Sequence, residues 1–149
     1  RVMNVENETL QALKSCAMRA AEHSYSPYSR FPVGAAVVGE TGKIYAGCNV
    51  ENASLGLTQC AERAALTAAL SDGAPAGSLG TLLIYTPGKV AHAPCGACRQ
   101  VMLELMAAEA VAVSCCDGSD LKYWTGPEYL PDPFDPGALL AAQMADAEP

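Results

Sequence analysis

The sequence predicts an α/β fold, a three-layer α-β-α sandwich with a mixed central sheet of about five strands. Three observations support this prediction. The chain has 149 residues, which suits a single domain over residues 1–149. Helical patterns alternate with short apolar runs, as in a sheet covered by helices on both faces. A turn signal between two adjacent apolar runs predicts a hairpin, so part of the sheet is expected to be antiparallel.

The first half of the chain is read from its local patterns. Leucines and alanines recur at helical spacing near the start, and the next segment holds two prolines and three serines, which are typical of a loop. Two small or β-branched runs then flank a glycine-containing turn, and an alanine-rich stretch follows. The predicted elements are a helix over 8–23, a loop over 24–32, strands over 33–38 and 44–50, a loop over 52–58 and a helix over 59–70.

The second half supplies the rest of the sheet. A continuous apolar run between turn residues is typical of a strand buried on both faces. It is followed by a loop, a helical pattern and a second apolar run. The predicted elements are a strand over 79–86, a loop over 87–94, a helix over 95–108, a strand over 110–115, a turn-rich segment over 117–136 and a helix over 137–145. These segments locate four strands of the expected five.

Composition excludes several functions. The 9 basic and 16 acidic residues give a net charge of −7, which disfavours both nucleic acid and an anionic membrane as partners. The chain has no run of about 20 apolar residues that could cross a membrane. Residues 1–8 lack the apolar stretch of a signal peptide, so we expect a cytoplasmic protein.

Seven cysteines in a reducing compartment are expected to be metal ligands or free thiols, and an odd number cannot pair completely. Cys16 and Cys48 are interpreted as small core residues. Cys115 and Cys116 are adjacent, so one of them is expected to be exposed.

Cys60, Cys95 and Cys98 stand at the predicted starts of two helices. A helix N-terminus favours thiolate, and thiolates bind Zn²⁺. Three protein ligands leave a fourth tetrahedral position for water, which is the pattern of a catalytic zinc site. The Cys-x-x-Cys pair taken alone is also compatible with a redox pair or half of a structural zinc site.

Charged residues accompany these cysteines. Glu62 follows Cys60 by two positions and could act as a general base toward a water at the metal. Arg63 and Arg99 could offset the negative charge of three thiolates, or each could pair with a nearby carboxylate.

The segments Cys60-Ala61-Glu62-Arg63 and Pro94-Cys95-Gly96-Ala97-Cys98-Arg99-Gln100 resemble the signature of the cytidine deaminase family, in its three-cysteine, small homotetrameric form. Residues 26–36, 48–53 and 130–134 also resemble segments of that family. The resemblance runs from about residue 26 to residue 134 and implies the cytidine deaminase-like fold.

The resemblance implies a site and a reaction. One zinc per subunit would be bound by the three cysteines, and Glu62 would move protons from water to N3 of cytosine and then to the departing amino group. The remaining implied roles concern the substrate: Phe31 packs against the pyrimidine, Asn49 and Glu51 bind the ribose hydroxyls, the backbone of Ala61 and Cys95 contacts the base edge, and Phe134 reaches the active site of a neighbouring subunit. The implied activity is deamination of cytidine and deoxycytidine in a homotetramer with shared active sites.

Two departures from the family pattern keep alternatives open. Leu55 stands where the family usually has an aromatic residue, so a deaminase of a cytosine nucleoside antibiotic, of the blasticidin S deaminase type, is the near alternative. Residues 115–127, with Trp124, are atypical and have no assigned role. A nucleic-acid deaminase is disfavoured by the charge and by Cys60, where such enzymes typically have His. A non-catalytic zinc or redox module would not require Glu62.

Overall fold

The computed structural model describes residues 7–145. Residues 1–6 lie outside the described residues. The expected absence of a signal peptide rests partly on this segment. The elements in chain order are α1 (Asn7–Ala21), β1 (Gly34–Val38), β2 (Ile44–Cys48), a 3-10 turn (Leu55–Leu57), α2 (Ala61–Ser71), β3 (Leu82–Tyr85), α3 (Gly96–Leu105), β4 (Val111–Cys115), β5 (Leu121–Thr125), α4 (Gly126–Tyr129) and α5 (Pro136–Ala145).

The five strands form one sheet in the order β2-β1-β3-β4-β5. β3 and β4 are parallel, with Leu82 opposite Ala112, and the other neighbours are antiparallel. The hairpin of β1 and β2 therefore makes the sheet mixed, as the turn signal at residues 39–43 predicts. Within residues 7–145, no helix has the combination of length and apolar character that crossing a membrane requires.

Helices cover both faces of the sheet. Leu13 and Ala17 of α1 are fully buried against one face, in a cluster that includes Leu83. Leu66 of α2 and Met102 of α3 are fully buried against the other face. The predicted three-layer α-β-α arrangement is confirmed.

The close approach of α2 to β2 depends on a glycine. A Cβ atom added at Gly47 would lie 2.6 Å from the backbone nitrogen of Ala65 and 2.9 Å from the carbonyl oxygen of Ala61. Only glycine has no side chain to occupy this space. The first turn of α2 is thereby held directly on the sheet, next to the loop that precedes α3.

The region over 117–136, expected to be irregular, contains β5 and α4. β5 is an edge strand that pairs with β4, and Trp124 lies opposite Ala112 and packs half-buried against the core shared by α2 and α3. Turn residues flank this short strand, so the local sequence pattern did not predict it. The expectation of one exposed thiol in the adjacent pair is wrong, since Cys115 is 3% and Cys116 0% exposed. The chain turns after β4, and this turn buries the second thiol near the carbonyl oxygen of Asp120.

Candidate active site

Two helix N-termini bring three thiols together. Cys60 is the N-cap of α2, Cys95 is the N-cap of α3, and Cys98 lies in the first turn of α3. All three sulphur atoms lie within 4.8 Å of one another, and the Cys60 and Cys95 sulphurs are 4.0 Å apart. Among residues 7–145, these three cysteines are the group of potential metal ligands whose ligand atoms lie closely enough together to hold a metal ion.

The thiol cluster fits zinc by its donor set and its dimensions. Two thiolates at about 2.3 Å from a tetrahedral zinc ion are roughly 3.8 Å apart. The Cys60–Cys95 separation of 4.0 Å is close to this value and the other two do not exceed 4.8 Å, so small rotamer adjustments would bring the sulphurs into a ligand geometry. No fourth His, Cys, Asp or Glu joins the cluster among the described residues. This leaves one position open, as in catalytic zinc sites.

Arg63 and Cys98 stabilise the thiolate of Cys60. Hydrogen bonds from Cys98 and from Arg63 lower the pKa of Cys60 to about 5, and the positive charge of Arg63 adds to the effect. The Nη2 atom of Arg63 donates to the Cys60 sulphur at 3.4 Å and to the carbonyl oxygen of Thr58 at 3.1 Å. The pKa of Cys98 is raised by its hydrogen bond to Cys60 and by burial. A negative charge is therefore favoured on Cys60.

Glu62 lies one residue into α2 and is only 5% exposed. Burial raises the pKa of its carboxyl group above the ordinary value, and the nearby Cys60 thiolate raises it further. A raised pKa makes the carboxylate a stronger base than an exposed glutamate, which suits a group that accepts and returns a proton in general acid–base catalysis.

Cys60, Cys95 and Glu62 border a pocket of about 190 Å³, and the third thiol, Cys98, is buried behind them. Its walls come from the loop before β1, the carboxyl end of β3, the start of α2 and the loop before α3. The lining residues are Phe31, Val33, Asn49, Thr58, Cys60, Ala61, Glu62, Ile84, Thr86, His92, Ala93 and Cys95. A larger apolar groove of about 770 Å³ lies between the end of α3 and α4, but it contains no cysteine or histidine. The chemistry, rather than the size, identifies the smaller pocket.

Phe31 and Asn49 form the loop side of the pocket. Asn49 is 8% exposed, and its Nδ2 donates to the carbonyl oxygen of Phe31 at 2.8 Å. Its Oδ1 accepts from the Val33 amide at 2.8 Å and from the Ser24 hydroxyl at 2.5 Å. Asn49 therefore anchors the loop, and the geometry leaves one Nδ2 hydrogen for a ligand.

Glu51 and Arg99 act on the backbone of neighbouring loops. The Oε2 atom of Glu51 accepts from the amides of Tyr28 at 2.9 Å and Ser29 at 3.2 Å. Arg99 donates to the carbonyl oxygens of Pro94 at 2.7 Å and Tyr129 at 3.0 Å. The role of Arg99 in offsetting thiolate charge stays a prediction.

Phe134 and Leu55 lie outside this pocket. Phe134 is 69% exposed, and Leu55 on the 3-10 turn is 71% exposed. The backbone carbonyl of Phe134 accepts a hydrogen bond from Gln100 of α3. Within one chain, the structure does not bring either side chain to the thiols.

The family model described as the cytidine and deoxycytidylate deaminase zinc-binding region matches residues 7–115. The chain belongs to this deaminase family. A cytidine deaminase of Halalkalibacterium halodurans is 42% identical over 136 residues, which cover 91% of this chain and 98% of the relative. A probable cytidine deaminase of Dictyostelium discoideum is 38% identical, with 95% of each chain covered.

Solved structures agree with the family assignment. The crystal structure of cytidine deaminase from Burkholderia pseudomallei superposes with a TM-score of 0.79 at 44% identity, covering 83% of this chain and 98% of that one. The deaminase family also explains why zinc is the metal for the three thiols.

Sequence reasoning missed several pocket residues of this deaminase. Thr58, Ile84, Thr86 and His92 line the pocket, although none of them carries a motif. Their common signal is position: they lie where a strand ends or just before a cysteine-capped helix begins. His92, interpreted from sequence as a solvated loop residue, is exposed but faces the Phe31 ring.

Proposed function

We propose that the protein is a zinc-dependent cytidine deaminase, which hydrolyses cytidine and deoxycytidine to uridine and deoxyuridine and releases ammonia. The observation that carries the proposal is the cluster of three thiols, two of which line the same pocket as the buried Glu62. The membership in the deaminase family and the names of the relatives agree with it.

The three cysteines would hold one zinc ion per subunit. Zinc, when bound there, supplies Lewis acidity that makes water a strong nucleophile near neutral pH. Arg63, whose guanidinium contacts the Cys60 sulphur, limits the electron density that this thiolate donates.

Glu62 would carry the protons. Its carboxylate takes a proton from water and delivers it to N3 of cytosine while the water oxygen attacks C4. Glu62 then takes the remaining proton from the new C4 hydroxyl and passes it to the amino group. The C4–N bond breaks as the C4=O bond forms, and ammonia leaves. One carboxyl group serves both as base and as acid because each pair of transfers returns it to its starting state.

The loop side of the pocket would bind the nucleoside. Phe31 would offer an apolar ring to the pyrimidine, and the backbone of Ala61, the first residue of α2, and of Cys95, the N-cap of α3, would contact the base edge. The free Nδ2 hydrogen of Asn49 and the Oε1 atom of Glu51 would bind the ribose hydroxyls. Of the two, Asn49 is buried, and a buried polar group of this kind disfavours analogues that lack the matching hydroxyl.

The proposal includes a homotetramer with shared active sites, one domain over residues 1–149 and a cytoplasmic location. The exposure of Phe134 and Leu55 supports shared sites, because apolar side chains of this size gain by burial against a neighbouring chain. Light scattering tests the assembly, and a fully active monomer would contradict the shared sites.

A panel of cytosine compounds tests the reaction. Ammonia release is expected from cytidine and deoxycytidine, with none from free cytosine. Turnover of blasticidin S but not of cytidine would favour the antibiotic alternative, whereas the relatives named above favour cytidine. Inactivity of the zinc-loaded protein on every nucleoside would contradict the proposal.

A further inference from the structure

His92 is a titratable side chain that lines the pocket and to which the proposed mechanism gives no role. It lies in the loop over residues 87–94, between β3 and α3, and lines the pocket together with Phe31 and Cys95. The ring centroids of His92 and Phe31 are 5.3 Å apart, and the ring planes are inclined by 88°. Perpendicular aromatic pairs at this separation attract each other, because the positive edge of one ring meets the negative face of the other.

The backbone of Phe31 is anchored, but its ring is not. The carbonyl oxygen of Phe31 accepts from Asn49, and its amide donates to the Ser29 hydroxyl at 3.0 Å. These bonds fix the main chain and leave the side-chain torsions free. The ring lies between the solvent and the pocket, and Phe31 is 38% exposed. Among residues 7–145, His92 is the aromatic partner of this ring.

His92 is in turn held by the residue before it. The amide of Ala91 donates to Oδ2 of Asp120 at 2.9 Å, and the carbonyl oxygen of Ala91 accepts from Nζ of Lys122 at 2.6 Å. Asp120 and Lys122 also form an ion pair at 3.7 Å. Both backbone groups of Ala91 are therefore hydrogen-bonded, which restrains the main chain at the adjacent His92.

The start of the same loop is fixed in the same way. The amide of Gly88 donates to Oδ2 of Asp117 at 2.8 Å, and the Tyr85 hydroxyl donates to Oδ1 of Asp117 at 2.5 Å. The Thr86 hydroxyl donates to the carbonyl oxygen of Val90 at 3.3 Å. Residues 117–122, which had no role from sequence alone, thus clamp the loop that carries His92.

We propose that His92 is a positioning residue, which orients the Phe31 ring as a wall of the nucleoside pocket, and that Asp120 and Lys122 position His92. This inference rests on the proposed function, since the wall matters for catalysis only when a pyrimidine lies against it. His92 does not touch the reacting bonds. Its contribution is the same before and during the reaction, so it affects KM and not kcat.

Steady-state kinetics with cytidine test the role. We expect His92→Ala to raise KM about 2- to 10-fold, the range that an edge-to-face pair provides, with kcat and zinc content unchanged. His92→Phe keeps a ring at this position and should restore the low KM. His23→Ala, which removes the other, exposed histidine, is the matched control and should leave KM unchanged. An unchanged KM in His92→Ala, or an equal rise in His92→Phe, would overturn the proposal.

A second measurement does not depend on activity. In NMR spectra of the zinc-loaded protein, the Phe31 ring current should shift the His92 ring protons, and Phe31→Leu should abolish the shift. Asp120→Ala should reduce it, because the clamp on Ala91 is lost. His92 signals that do not respond to Phe31→Leu would refute the contact even in an active enzyme. A responding signal in a protein that does not turn over cytidine would contradict the proposed function and leave the contact established.

Discussion

At the metal end of the pocket, the thiols and Glu62 stand on the first turns of α2 and α3, whereas at the loop end Phe31, Asn49 and Glu51 belong to irregular segments. The metal end is fixed by helices packed on the sheet: Cys98 is fully buried and Glu62 is 5% exposed. The loop end is fixed by side chains that hydrogen-bond to backbone amides and carbonyls.

The difference separates chemistry from recognition. One chain supplies every side chain that the proposed proton transfers require. At the loop end Phe31 is 38% exposed, and the proposed shared sites would bury the exposed apolar side chains of Leu55 and Phe134. We therefore expect changes at the metal end to reduce kcat strongly and changes at the loop end to act on KM, on assembly or on stability.

The largest effect is expected for Glu62→Gln. The amide cannot accept or return a proton, so kcat should fall about 10²- to 10⁴-fold with zinc retained. Ammonia release and zinc content are the measurements. Glu104→Gln on the exposed face of α3 is the matched control. A wild-type rate in Glu62→Gln would contradict the role of Glu62 in proton transfer.

Arg63→Gln tests the charge on the thiolates. Loss of the guanidinium beside Cys60 should weaken zinc binding or activity about 10- to 100-fold, as for other groups that support a metal ligand. Zinc competition with a chelator provides the measurement. Arg19→Gln is a matched control, because Arg19 contacts the Cys16 sulphur at 3.2 Å on the surface of α1. Equal zinc affinity in Arg63→Gln and Arg19→Gln would show that Arg63 does not support zinc binding.

Phe134→Ala tests whether the loop end is completed by a second chain. We expect KM for cytidine to rise roughly 5- to 30-fold, the effect of losing an aromatic group at an interface, with zinc content unchanged.

Mixing variants then shows whose Phe134 is used. Reassembly of Phe134→Ala with Glu62→Gln subunits should restore sites of low KM, since in the proposed shared sites the intact Glu62 of one subunit would meet the intact Phe134 of its neighbour. A variant that carries both Glu62→Gln and Phe134→Ala, when mixed with Phe134→Ala subunits, should restore no sites of low KM. Failure of the first mixture to recover would mean that Phe134 acts within its own chain or not at all.

Asn49→Ala should affect stability more than turnover number. It leaves the Val33 amide and the Phe31 carbonyl without their partner, which is expected to lower the free energy of unfolding by about 1–3 kcal/mol. Chemical denaturation at a fixed protein concentration measures the change. Asn52→Ala, in an exposed turn, is the control. Unchanged stability in Asn49→Ala would argue against its anchoring role.

The smallest effect concerns pH and Glu51. Hydrogen bonds from Ser29 and the Tyr28 amide lower the pKa of Glu51 below its ordinary value of 4.5. The stabilisation that the charged form provides is therefore fully present above this value and is lost as the pH falls through the lowered pKa. The difference in melting temperature between wild type and Glu51→Gln should be constant at neutral pH and shrink only in acid. A difference that changes around neutral pH would contradict this assignment.

Much of the fold could be predicted from local patterns. The periodic apolar residues of α1, the turn between β1 and β2 and the apolar run around β3 each depend on neighbours in sequence, so composition reveals them. β5 could not be found this way, because an edge strand of five residues between turns takes its stability from pairing with β4. The burial of Cys116 likewise depends on a turn that the sequence does not mark.

The sequence by itself determined the metal end. Cys60, Glu62, Cys95 and Cys98 are close in sequence to two helix starts, and a helix start fixes side-chain position within a turn. Only the tertiary structure decided the loop end. It showed that most hydrogen bonds of the Asn49 side chain go to the backbone and that Glu51 binds the backbone amides of a loop. It also showed that His92 meets Phe31 from a segment about 60 residues away, which Asp120 and Lys122 clamp. Such contacts join loops from distant parts of the chain, and no local pattern encodes them.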